Sequence, residues 1–251
     1  MRQVNPLSCG LRLLSYRSMP SRYVLEISVE SVAAAAAAER GGAQRVELCS
    51  SLRLGGLTPS PGLMMEARAN LQVPIFAMIR PRAGDFVYSD DEFATMRGSI
   101  HLAKQMQMDG LVMGLLRAEG QIDIDRSQDL IECASPLPVT FHRAFDECRD
   151  LQEALGDVIK TGAARLLTSG GKQTAPEALE LLGDLVRIAG ERFIVMPGSG
   201  LHTGNIRAVV AKTGAREYHA GLSSVVADPG KELGGFEREV RKMASALAAT
   251  D

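Results

Sequence analysis

PVTFHRAFDECRDLQEALGDVIKTGAARLLTSGG, residues 138–171, holds one full repeat of the fold. It opens on a β-branched and aromatic run, PVTFHR (138–143), that ends in charged residues. An amphipathic segment follows at 151–161, and Gly162 stands where a left-handed residue closes a helix. A second run, ARLLTSG (164–170), then starts the next strand. The same theme extends in both directions. Strands are predicted at YVLEIS (23–28), RVELC (45–49), PIFAMIR (74–80) and DGLVMGLL (109–116) before it, and at FIVMPG (193–198) and REYHAG (216–221) after it. Helices fit between them at 30–40, 61–70, 90–107, 125–134, 151–161, 175–189 and 203–213, with a last one near 233–248. Ser31, Ser60-Pro61 and Ser89-Asp90 supply start signals, and Gly41, Gly162, Gly190 and Gly214 supply stops.

Eight parallel strands alternating with eight helices form either an open doubly wound sheet or a closed (β/α)8 barrel. Regular spacing and the absence of a break in composition favour closure. The first strand runs into VES with no GxGxxG, which argues against a dinucleotide-binding sheet. The sequence is read as a single TIM-type barrel over residues 21–251. Residues 1–20 carry Arg2, Arg12 and Arg17 and no acid. They are expected to be a disordered or spurious extension before Met19, the alternative being an organellar transit peptide.

The chain has 251 residues, with 28 Lys+Arg against 30 Asp+Glu. A formal charge of −2 argues against a nucleic-acid partner. The hydrophobic share, 45%, is ample for a large core. No apolar run approaches the roughly 20 residues that cross a bilayer, so no membrane association is expected. Four Cys, at 9, 49, 133 and 148, include no CxxC pair and give neither a disulfide framework nor a structural zinc site. A reduced, soluble, cytoplasmic protein is expected.

A barrel of this kind works at the C-terminal ends of its strands. Polar residues gather there in the sequence, not at the strand starts. Glu26 interrupts strand 1, and Glu47 precedes Cys49 in strand 2. Strand 3 ends in Arg80-Pro81-Arg82 with Asp85 beyond, and strand 5 delivers His142 and Arg143 with Asp146 close behind. Strand 6 ends in Thr168-Ser169-Gly170-Gly171, strand 7 in Gly198-Ser199-Gly200, and strand 8 carries His219. Buried charges need partners, so Glu26 and Glu47 are expected to face Arg80, Arg143 or His142. His142 and Arg143, adjacent on one strand, are expected to point to opposite faces. The glycine-rich turns are of the type that holds a phosphate or other oxyanion through N–H groups. On this reading Glu26, Arg80, Arg82, Asp85, Arg143, Asp146, Ser169, Gly170, Gly198, Gly200 and His219 bind a small anionic substrate, with Glu47 and His142 as acid or base. Cys49 is the one thiol at a strand end beside these groups.

Taken together, RVELCSSLRLGGLTPSPG, IFAMIRPRAGDFVYSDDEF, LPVTFHRAFD, RLLTSGG and IVMPGSG resemble the CutC copper-homeostasis family, in order along nearly the whole barrel. The resemblance implies a cytoplasmic TIM barrel that forms dimers or tetramers and takes Cu(I) through a cysteine. Members often carry two thiols, at the end of strand 1 and in the ELC motif. Here Cys49 fills the second position, while Ser28 stands at the first. YHAGLSS also departs from the family's usual pattern in strand 8. The resemblance therefore implies a copper-handling protein with Cys49 as its metal ligand. The alternative from the residues is an enzyme acting on a phosphorylated or carboxylated small molecule.

Overall fold

A computed structural model describes residues 22–226 and 230–250. The expected extension over residues 1–20 lies outside the described residues. Eight strands form the barrel: β1 (Val24–Val29), β2 (Arg45–Leu48), β3 (Ile75–Met78), β4 (Gly110–Met113), β5 (Val139–Phe141), β6 (Arg165–Thr168), β7 (Ile194–Pro197) and β8 (Glu217–Ala220). Helices α1 (Val32–Gly41), α2 (Pro61–Asn70), α3 (Asp90–Gln105) and α4 (Ile124–Ala134) surround its first half. Helices α5 (Leu151–Lys160), α6 (Leu179–Ala189), α7 (Ile206–Thr213) and α8 (Leu233–Ala248) surround the second. Each strand pairs in parallel with its neighbour from β1 to β7, and β8 pairs with β1. The seam between β7 and β8 is closed by one parallel bridge, Gly198 to His219. The (β/α)8 barrel expected from the sequence is thus the fold.

The helix starts follow from side-chain chemistry. Ser31 accepts from Ala34 N, Ser60 accepts from Leu63 N with Pro61 at the first position, and Ser89 and Glu92 form a reciprocal capping box. Gly162 and Gly214 take positive φ at the ends of α5 and α7, as expected. The stop of α1 falls one residue later than Gly41, on Gly42 with φ of 98°. Gly41 serves packing instead: a Cβ there would lie 2.7 Å from Val240 Cβ on α8. The alanine run of α1 has the same logic, since buried Ala34, Ala35, Ala37 and Ala38 admit close approach of neighbouring elements. A helix with larger residues on that face would stand off from the barrel.

Leu25, Ile27, Val46, Leu48, Ile75, Leu111, Phe141, Leu166 and Tyr218 point out from the strands into the layer between barrel and helices. A second, smaller apolar cluster of Cys49, Phe76, Met78 and Val112 lies inside the barrel. The rest of the barrel interior sets Leu167 and Met196 among charged and polar side chains. Among the described residues, no helix is long and apolar enough to cross a membrane.

Candidate metal and anion site at the barrel mouth

Strand register decides which side chains meet inside the barrel. Glu26 of β1 lies level with Arg45 of β2 on one side and with His219 of β8 on the other. Ser28 is level with Glu47. Successive residues of a strand alternate between faces, so Arg45, Glu47 and Cys49 share the inner face of the second unit, as Glu217 and His219 share that of β8.

The lower level is an ion network built around Arg45, Arg165 and Glu217 at the strand starts, a position at which no charged cluster is expected. Arg45 donates to Glu26 through a very short contact and to Glu217 Oε2 at 2.5 Å, and Arg165 Nε lies 3.3 Å from the same Glu217 oxygen. Both guanidinium groups stand over the Phe76 ring at 4.9 Å. Burial works against the charge of Arg45, yet Glu26 and Glu217 hold its pKa above the ordinary value. Arg165 goes the other way, lowered by burial and by Arg45 beside it. Glu26 therefore finds its cation in Arg45, and not in Arg80, Arg143 or His142.

Above this level three potential ligands converge. His219 Nε2 lies 3.0 Å from Glu47 Oε2 and 3.9 Å from Glu26 Oε1. One donor atom from each of Glu26, Glu47 and His219 falls within 4.8 Å of the others. Burial disfavours the His219 cation, but Glu47 and then Glu26 raise its pKa above 6.5. Against the cost of burial, Arg45 and His219 hold Glu26 below the usual carboxylate range. Even so, Oε1 of Glu26 and Oε1 of Glu47 are buried with no hydrogen-bond partner. Two buried carboxylates, each with an orphan oxygen, and one imidazole are together a donor set for a cation.

Cys49 is fully buried inside the barrel, packed with Met78. Burial, followed by the Glu47 carboxylate, pushes its thiol pKa well above the ordinary value. It stands close to the trio without being one of its three members.

A cavity of about 760 Å³ opens above these groups. Its wall includes Glu47 and His219 on one side and Arg80, His142, Arg143 and Asp146 on the other, with Gly200 and Lys172 at the rim. His142 and Arg143 both reach it, against the expected opposite facing. The reason is local: β5 ends at Phe141, His142 caps the 3-10 turn Arg143–Glu147, and strand alternation no longer applies. His142 Nδ1 accepts from Ala144 N at 3.2 Å. Burial, and then the charge of Arg80, lower its pKa to about 3, so the ring is neutral.

The remaining expected anion binders serve the loops. Gly170 and Gly171 adopt φ of 70° and 71° and form an N–H nest of the kind predicted. The anion in it is the chain's own Asp146. Its Oδ1 accepts from Ser169 N at 3.1 Å and Gly171 N at 3.0 Å, and its Oδ2 accepts from Ser169 Oγ and from Arg143 Nε. Gly170 itself packs on α6, where a Cβ would lie 2.6 Å from Ala178 Cβ. Gly198 backs onto Leu167 and His219. Arg82 binds Asp85 at 2.9 Å and Glu92 at 2.5 Å, which ties down the β3–α3 loop outside the cavity wall. Sequence reasoning missed Arg45, Arg165 and Glu217, and it missed Lys172.

The sequence profile of the CutC family matches residues 23–224. The chain belongs to the CutC family. A CutC family protein of Chromobacterium violaceum is 47% identical over 204 residues, covering 81% of this chain and 83% of that protein. The human copper homeostasis protein cutC homolog is 45% identical over 202 residues, covering 80% and 74%. Among solved structures, the CutC protein of Streptococcus agalactiae superposes with a TM-score of 0.75 at 31% identity, covering 79% of this chain and 98% of that one. The segment shared with the CutC family contains the whole trio, Cys49, Arg80 and His142.

Proposed function

We propose that this CutC-family barrel handles copper in the cytoplasm, taking the metal as cargo at its mouth through Glu26, Glu47 and His219. The observation that carries this reading is the pair of buried, unpartnered carboxylate oxygens on Glu26 and Glu47, set against one imidazole. Two oxygens and a nitrogen suit a divalent ion, and Cu²⁺ heads the affinity order for such donors. They do not suit Cu(I), which prefers thiolate and thioether. A monovalent ion would draw instead on Cys49 and the Met78 thioether packed with it. Cys49 would first have to lose a proton that burial and Glu47 make hard to remove. The name of the human relative, a copper homeostasis protein, supports the same reading. Family resemblance also supports assembly as a homodimer or homotetramer.

Cu²⁺ titration, and anaerobic Cu(I) titration against a competing chelator, test this on wild type, Glu47→Gln and Cys49→Ser. Cu²⁺ binding lost in Glu47→Gln and retained in Cys49→Ser supports the trio. Equal Cu²⁺ binding in all three proteins overturns it. Cu(I) binding lost only in Cys49→Ser would return the site to the thiol.

A further inference from the structure

We infer that the mouth also seats the carboxylate of a small organic acid, on Arg80 and His142. These residues lie on the β3 and β5 side of the cavity, whereas Glu47 and His219 line its β2 and β8 side, with Glu26 buried behind them. Copper handling makes no use of them.

Arg80 is buried, and its guanidinium is spent on neutral acceptors. It donates to the carbonyl oxygens of Leu54 at 2.8 Å, Gly56 at 3.3 Å and Gly84 at 2.7 Å. Among the described residues it makes no ion pair, and its Nε is buried without a partner. Glu147, on the same cavity wall, acts on this cation only beyond ion-pair distance, so an anion arriving from outside would be its first close counterion. Every other buried arginine of the barrel interior has its carboxylate: Arg45 has Glu26 and Glu217, and Arg165 has Glu217.

His142 completes the arrangement. Because Nδ1 accepts from the Ala144 N–H, the proton of the neutral ring sits on Nε2. That Nε2 is buried and unpartnered. The ring is fixed by Phe86, at 4.9 Å between centroids, and by Gly114, where a Cβ would lie 2.6 Å from Nδ1. A fixed cation and a fixed neutral donor with a spare N–H, on one wall of one cavity, suit a carboxylate: the guanidinium supplies the charge and His142 Nε2 the hydrogen bond. A phosphate would ask for more donors, and the glycine nest that could supply them is filled by Asp146. The cavity, about 760 Å³, has room for a small molecule beyond that head group.

The test is calorimetric titration of the metal-free protein with malate and 2-oxoglutarate, beside inorganic phosphate and uncharged malonamide. Metal-free conditions separate this inference from the copper reading, which stands or falls on a different set of residues. Both acids should bind and malonamide should not. His142→Asn retains an oxygen to accept from Ala144 N but cannot reach as far, and should weaken the acids about tenfold. A second readout needs no variant: the ¹⁵N resonance of His142 Nε2 in wild type should shift on adding malate. Binding of phosphate in place of the acids, equal affinity in His142→Asn, or an unmoved Nε2 resonance would each overturn the inference.

Discussion

Glu47 holds His219 Nε2 at 3.0 Å with one carboxylate oxygen and leaves the other buried with nothing to accept from. The pair is a half-satisfied arrangement, which a native interior tolerates only where something else completes it.

Metal occupancy should therefore register as stability. With ligand at about 100 times its Kd, a site present only in the folded state adds roughly 2.7 kcal/mol. Cu²⁺ or Zn²⁺ should raise the thermal midpoint of wild type and leave that of Glu47→Gln or His219→Ala unmoved. A rise of the same size in those variants would place the metal elsewhere.

The lower ion network makes a separate prediction. Glu217 Oε2 is shared by Arg45 and Arg165. Glu217→Gln leaves two buried guanidinium groups competing for Glu26, and should cost about 3–5 kcal/mol in urea unfolding. A loss below about 1 kcal/mol would mean that solvent reaches the two arginines.

Acid should act through His142. Its pKa is about 3 in the folded chain against an ordinary 6.5. Above pH 6.5 the ring is neutral in both states and contributes no pH dependence. Below 6.5 the unfolded chain takes up a proton that the folded chain refuses. Stability then declines by about 1.4 kcal/mol per pH unit, until the pH approaches the folded value. Urea midpoints measured at pH 7, 6 and 5 should fall more steeply for wild type than for His142→Asn. Parallel profiles would show that the ring titrates normally.

Asp146 should matter to the fold more than an exposed loop acid does. Its carboxylate holds Ser169 and Gly171 through their N–H groups and also holds Arg143. Asp146→Ala leaves those donors unmatched and should cost about 3 kcal/mol. Differential scanning calorimetry of the two proteins measures it directly.

The architecture was readable because each repeat carries its own punctuation. Ser31, Ser60 and Ser89 cap the helices that they were expected to cap, and α2 spans the expected 61–70. The site was less readable. Glu26, Glu47 and His219 stood out as polar residues in apolar strands, but what joins them is the β1–β8 register, which only closure of the barrel creates. Arg45, Arg165 and Glu217 were passed over because a charge at the start of a strand usually belongs to a solvated turn. In this barrel the inner face carries it into the interior. Asp146 was recognised as functional, but its partner was not, since a glycine-rich turn looks the same in sequence whether its anion is a ligand or a side chain of the same chain.

His219 has a second place in the molecule. Seven of the eight strand junctions are ladders of two or more residue pairs, whereas β7 and β8 meet at the single bridge between Gly198 and His219. The residue that faces the two carboxylates is thus also the clasp of the hoop. Anything gripping its imidazole pulls on the most thinly fastened joint of the barrel. A metal that loaded the mouth should therefore also lock the cylinder, and amide exchange in β8 should slow as the site fills.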